Sequence, residues 1–216
     1  MAVAPVNVYK TVAVPVAPGN QVVYTTPVGV SAILLYAQVA NVATSSTTPT
    51  TTLAVKRNYT VTGNTIQNRL IKNGPVFPND SLVIIDGRLV LENTALYTDT
   101  LVLSGIQTGI TTVYDCKYNN ITGITTVTTV SAHNFNVGDQ ITMSGLAFTC
   151  SGTVGLTTTI YPYPQTSFTV TNVGTSTIFT TQAGVISGIA HTYVSGGLVG
   201  PLQMEFVASI LENSNV

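Results

Sequence analysis

The chain has 216 residues, of which Lys, Arg, Asp and Glu make 7% and hydrophobic types 44%, and its formal net charge is −1. An ordinary soluble domain carries roughly 25% charged residues, so this surface has little charge to keep copies apart. High hydrophobicity with low charge excludes a disordered chain, and near-neutrality without a basic cluster leaves nucleic-acid binding no electrostatic footprint.

Thr supplies 37 residues, and Gly and Pro supply 18 and 10, scattered rather than clustered. Thr and Val are β-branched and fit a pleated surface, and many short turns need Gly and Pro. The composition therefore predicts an all-β chain. A Thr-rich surface with few Lys also suits a protein covered by partner chains, which is an expectation of assembly.

The first segment, MAVAPVNVYKTVAVPV, is broken by Pro5 and Pro15 and has no continuous apolar stretch, so it does not read as a signal peptide. QVVYTTPVGVSAILLYAQVANV reads as strand, turn, strand, with Pro27 and Gly29 marking the turn. Its apolar run, Val28 to Val42, is too short and interrupted to span a bilayer, so no membrane insertion is expected. Both readings point to a chain made and kept in a cytoplasm.

After a polar loop, TTTLAVKRNYTV reads as the next strand, and TIQNRLIKN as a short helical turn or an irregular connection. NGPVFPND reads as a loop. SLVIIDGRLVLENTA gives two short strands joined by Asp86-Gly87, a strong hairpin signal. LQMEFVASILE alternates Leu202, Met204 and Phe206 against Gln203, Glu205 and Val207, as a strand with one buried face does.

Charge divides the chain. Residues 1–108 carry six of the seven basic residues, and 109–196 carry Lys117 with two acids, Asp115 and Asp139. This predicts one domain, 1–108 plus 197–216, interrupted by a second at 109–196. In the second, TTVTTVSAHNFNVGDQITMSG and SFTVTNVGTSTIFTT each hold two strand candidates, and AGVISGIAHTYVSGG closes the piece. Turn signals every eight to twelve residues suit a small β-barrel or sandwich.

His133 and Asp139 are the first candidates for chemistry, with Ser131 and Ser144 nearby. A relay needs nucleophile, base and carboxylate to meet in space, and no G-x-S-x-G elbow is present. The simpler reading is a strand connection in which Gly138 takes φ > 0 and Asp139 bonds the loop's amides. His191 joins His133 in a metal site only if their loops meet. Asp80, Asp86, Glu92 and Asp99 are the densest acids, and turn contexts explain Asp80 and Asp86 without glycoside hydrolysis. Cys116 and Cys150 lack metal-site spacing, and are read as buried small hydrophobes or as cross-strand neighbours. No catalytic residue, metal or cofactor is assigned.

VTTVSAHNFNVGDQITMSGLAFTC, followed by SFTVTNV and AHTYVSGG, resembles a module of virion structural proteins in tailed bacteriophages, particularly those infecting marine cyanobacteria. The resemblance covers about residues 114 to 197. VYTTPVGVSAILLYAQVANV with LVIIDGRLVLE and MEFVASILE looks like a small β-sandwich of accessory virion proteins, in which the last two segments usually lie close; the insertion is a departure. The resemblance implies a non-enzymatic component in symmetric copies, in the tail, neck or baseplate or as a capsid decoration, assembled in the host cytoplasm.

The expected fold is thus all-β, a β-sandwich (Ig- or jelly-roll-like) with an inserted small β-barrel or sandwich domain. Candidate anchoring residues are Ile33, Leu35, Val83, Ile85 and Phe206, the apolar side chains a sandwich needs. Expected partners are other virion proteins and copies of the chain. Two rival expectations are a host-surface glycan or protein bound by Tyr161, Tyr163 and Tyr193, and a hydrolase of envelope polysaccharide.

Overall fold

A computed structural model describes residues 7–152, 155–160, 166–184 and 190–214, with backbone alone at 150–152, 155–160 and 214. Its strands, in chain order, begin with β1 (Asn7–Pro15), β2 (Gly19–Thr25), β3 (Val30–Asn41), β4 (Thr50–Tyr59), β5 (Thr65–Pro75) and β6 (Ser81–Glu92). Next come β7 (Tyr97–Ile106), β8 (Thr111–Tyr118), β9 (Ile124–Thr129), β10 (Gln140–Ser144), β11 (Ala147–Gly152) and β12 (Gly155–Ile160). The series ends with β13 (Ser167–Thr175), β14 (Ile178–Gln182), β15 (Ala190–Ser195), β16 (Leu198–Pro201) and β17 (Met204–Ser214). The chain is all-β, as its Thr and Val content predicts.

Two compact units divide it: Met1–Val16 with Asn20–Ile106 and Gln203–Val216, and Ala17–Gly19 with Gln107–Leu202. The second unit runs beyond residue 196, because β16 pairs with β8 and β10.

The first unit is a sandwich of two four-stranded sheets, ordered β1-β17-β3-β6 and β2-β7-β4-β5. One cluster fills the space between them, with Ala32, Leu34, Ala37, Val39, Leu91, Met204, Phe206, Ala208 and Ile210 from one sheet and Val23, Leu53, Leu101 and Leu103 from the other. The alternation holds within β17, with Met204 and Phe206 fully buried, but Leu202 and Gln203 precede the strand, and there Gln203 rather than Leu202 is the buried one. The choice of core residues in β3 and β6 differs from expectation. Ile33 and Leu35 are half-buried on the opposite face from Leu34, and Val83 is 48% exposed. Ile85 packs at the margin of the core. A run apolar at every position hides which parity faces inward; the register with β17 decides it, setting Leu34 opposite Ile210 and Val39 opposite Phe206.

Asp86-Gly87 is not a hairpin turn. β6 is one strand, and both halves pair with β3: Leu82–Asp86 against Val39–Tyr36, then Leu89–Glu92 against Leu34–Ser31. Between those registers Gly87 and Arg88 oppose Leu35 alone, which is a β-bulge. A hairpin would bring the two halves of β6 together and forfeit the ladder to β3. The segment TIQNRLIKN is likewise a strand, β5, paired along β4. As the last strand of its sheet it is mostly exposed, so it carries little of the hydrophobic periodicity that identifies a strand.

In the second unit, β8-β16-β10-β13-β14-β9 form a sheet that closes on itself through the β8–β9 pairing, giving a six-stranded barrel. β15, β11 and β12 extend the sheet from β8. Val113, Val127, Ile141, Met143, Phe148, Phe168, Val170, Phe179 and Val199 fill its core.

Candidate functional site

Residues 130–139 link β9 to β10, which stand on opposite walls of the barrel, three places apart in the ring. The connection therefore crosses the barrel end rather than forming a hairpin. Its side chains close that end. His133 and Phe135 are 3% and 6% exposed; their rings stack at 5.0 Å, and both meet Phe179 edge-on.

Backbone bonds hold the segment to the barrel wall. Val130 N–H donates to Thr112 O, His133 N–H to Ser176 O and Gly138 N–H to Val170 O. Asn134 and Gly138 take positive φ, at 56° and 96°. Asp139 Oδ2 accepts the Asn136 amide at 2.8 Å.

The imidazole of His133 is committed on both sides. Nδ1 accepts the Phe135 N–H at 2.9 Å, which leaves Nε2 to carry the proton it shares with Thr175 O at 3.2 Å. The other relay candidates are not brought to it. Ser131 Oγ shares a proton with Thr111 Oγ1, Ser144 Oγ donates to Pro18 O, and Asp139 bonds its own loop. This motif braces the barrel end.

His191 lies on β15 against Tyr118 at 5.3 Å and Phe148 at 6.4 Å, and desolvation lowers its pKa from the ordinary imidazole value. Among the described residues no group of three or more His, Cys, Asp and Glu has a geometry for a metal ion. Cys116 is a free thiol, 1% exposed, which burial and the neighbouring Asp115 push up to about 12. The side chain of Cys150 lies outside the described residues, as do Tyr161 and Tyr163. Tyr193 packs edge-on to Phe148 and donates its hydroxyl to Gly196 O at 2.8 Å, so it serves its own strand end.

The four acids separate into different roles. Asp80 Oδ1 accepts the Ser81 amide at 2.7 Å, and Asp86 stands opposite Tyr36 on the outer sheet face. Asp99, fully buried, takes both Nε and Nη2 of Arg57 at 2.7 Å and the Glu92 amide at 3.1 Å. The guanidinium lies 3.8 Å over the Tyr97 ring, whose hydroxyl donates to Glu92. A carboxylate so fully engaged is a fixed strut in the sandwich interior, not a free general acid.

The remaining candidates lie on the outer face of β1-β17-β3-β6. Ladder partners set Tyr9, Leu211, Ile33 and Val90 in one row across all four strands. Tyr9 is 75% exposed and Val90 52%, with Leu211 and Ile33 half-buried between them. Ala13, Val207, Gln38 and Val83 form a second row. Sequence reasoning found Ile33 and Val83 but not Tyr9, Leu211 or Val90. Only the pairing of four distant strands assembles the row, although the alternation of Tyr9, Thr11 and Ala13 marks the same face locally.

The class that fold and surface define is a β-sandwich carrying an inserted six-stranded barrel, with an apolar row across one outer sheet face. The chain matches no protein-family model, and no curated protein matches it significantly in sequence.

Proposed function

We propose that this chain is a virion structural protein of a tailed bacteriophage, a tail-, neck- or baseplate-associated component that assembles in symmetric copies. The observation that supports the assembly part of this reading is the apolar row Tyr9–Leu211–Ile33–Val90 across β1-β17-β3-β6, exposed at both its ends. A soluble monomer seldom leaves an apolar patch larger than a few hundred Å² uncovered, and 7% charge offers this face little protection. Specificity in such an assembly comes from shape and hydrogen bonds at sheet faces and edges rather than from charge.

Sedimentation of the purified chain at micromolar concentration, alongside Val90→Lys and Tyr9→Lys, tests it. The parent forms a closed oligomer and both variants shift toward monomer with unchanged melting. A parent that stays monomeric at high concentration, and antibodies that fail to label the phage particle, would reject the reading.

A further inference from the structure

The outer face of the other sheet, β2-β7-β4-β5, has a different chemistry. There a cleft of about 210 Å³ lies over Val102, lined by Asn20 from β2, Thr52 from β4, and Gln67, Arg69, Lys72 and Asn73 from β5. We propose that it is a binding site for an acidic saccharide, a sugar bearing a carboxylate or sulfate group. This proposal is independent of the assembly reading, which concerns the opposite sheet.

The two cations and the amides of Asn20 and Gln67 converge without serving each other. Arg69 and Lys72 are exposed, and neither has an ion-pair partner among the described residues, although the chain's three ion pairs there use Lys10, Arg57 and Lys117. The side chains of Asn20 and Gln67 are also exposed and have no hydrogen-bond partner among the described residues. Two of the seven basic residues in a charge-poor chain therefore meet two free amides at one place.

The floor is preorganised. Asn73 holds a left-handed φ of 51°; its amide N–H donates to Thr52 Oγ1 at 3.0 Å, and that hydroxyl donates back to Asn73 Oδ1 at 3.2 Å. This reciprocal clamp ties β5 to β4 beside the cations, across a register shift in the ladder.

The donor set selects the ligand. The guanidinium fork and the ammonium suit an oxyanion with several acceptor lone pairs. Side-chain amides both donate and accept, which suits the hydroxyls of a sugar ring. No aromatic ring lines the cleft, so nothing there stacks a nucleobase, and two cations do not make a backbone track.

The test is calorimetric titration of the full chain with a sulfated oligosaccharide, an oligouronate, a neutral glucan, inorganic sulfate and a single-stranded oligonucleotide. The expected result is saturable binding of at least one acidic oligosaccharide, weakened by salt, with no binding of the neutral glucan. Arg69→Gln with Lys72→Gln should lose ten-fold or more in affinity, and Gln67→Ala several-fold. Arg88→Gln, which removes one positive charge on β6, should leave binding intact. Melting curves confirm that each variant folds. No binding of either acidic oligosaccharide, or equal binding by the Arg69/Lys72 variant, overturns the site. Inorganic sulfate bound as tightly as the oligosaccharide, or the oligonucleotide bound more tightly, overturns the ligand class.

Discussion

Replacing His133 tests whether the HNF segment is a brace. In His133→Phe the ring survives, so its packing on Phe135 and Phe179 is kept, but both polar bonds vanish. The Phe135 N–H is buried, and orphaning such a donor costs about 1–3 kcal/mol. The Thr175 carbonyl belongs to an exposed residue and regains water, so its lost bond costs about 0.5–1.5 kcal/mol. Together the substitution should destabilise the barrel unit by about 1.5–4.5 kcal/mol. His133→Ala adds the loss of two ring pairs at about 0.5–1.5 kcal/mol each. Urea unfolding followed by amide hydrogen exchange reads the barrel separately from the sandwich, which matters because a two-unit chain need not unfold in one step. His133→Phe within about 0.5 kcal/mol of the parent would refute the reasoning, since the nitrogens would then hold nothing.

Thr125 and Thr181 are cross-strand partners inside the barrel, both fully buried, and their hydroxyls have no hydrogen-bond partner among the described residues. Val at either position keeps the shape and should raise barrel stability by about 1 kcal/mol in urea titrations; a loss would mean a bonded water sits between them. Asp99→Asn strands a guanidinium that is 34% exposed, so the cost should fall near the low end of the range for breaking a buried pair, about 3 kcal/mol by denaturant midpoint. Arg57→Met with Asp99→Leu should recover much of it, and a double variant worse than Asp99→Asn would contradict that account. Cys116 has a thiol raised by burial to about 12, so the folded state holds its proton where an unfolded thiol, near pKa 8.5, has lost it. That contribution is complete below the unfolded value and disappears as pH rises toward the folded one. Iodoacetamide at mildly alkaline pH should therefore leave the native thiol unmodified and label it after urea; rapid native labelling would show that the thiol is accessible.

Fold class was legible because β-branched composition acts everywhere along the chain. So was the inward face of β17, where Met204 and Phe206 alternate with Glu205 and Val207. The inward face of β3 was not, because apolar residues occupy both parities and only pairing with β17 breaks the tie. Asp86-Gly87 misleads for a related reason: a dipeptide that favours a turn also tolerates a bulge, and a long neighbour decides between them. For His133, local sequence predicts the loop chemistry of Gly138 and Asp139. It does not predict that the loop spans a barrel, since that depends on β8 closing against β9. The cleft beside Arg69 draws on four strands, and in the sequence its two cations resemble an ordinary solvated face.

The place of β17 has a consequence for synthesis. This strand lies inside its sheet, between β1 and β3, yet the whole barrel is translated before it. Until β17 emerges, β1 has no ladder partner in that sheet, and β3 keeps one open edge beside the apolar face of an incomplete sandwich. The barrel needs only contiguous chain plus the short Ala17–Gly19 piece, so it can be complete while the sandwich still waits. Long-range pairing of this kind is slow and leaves sheet edges open to other chains. On a ribosome the inserted barrel thus acts as a timer, delaying the moment at which the sandwich, and with it the outer face of β1-β17-β3-β6, comes into existence.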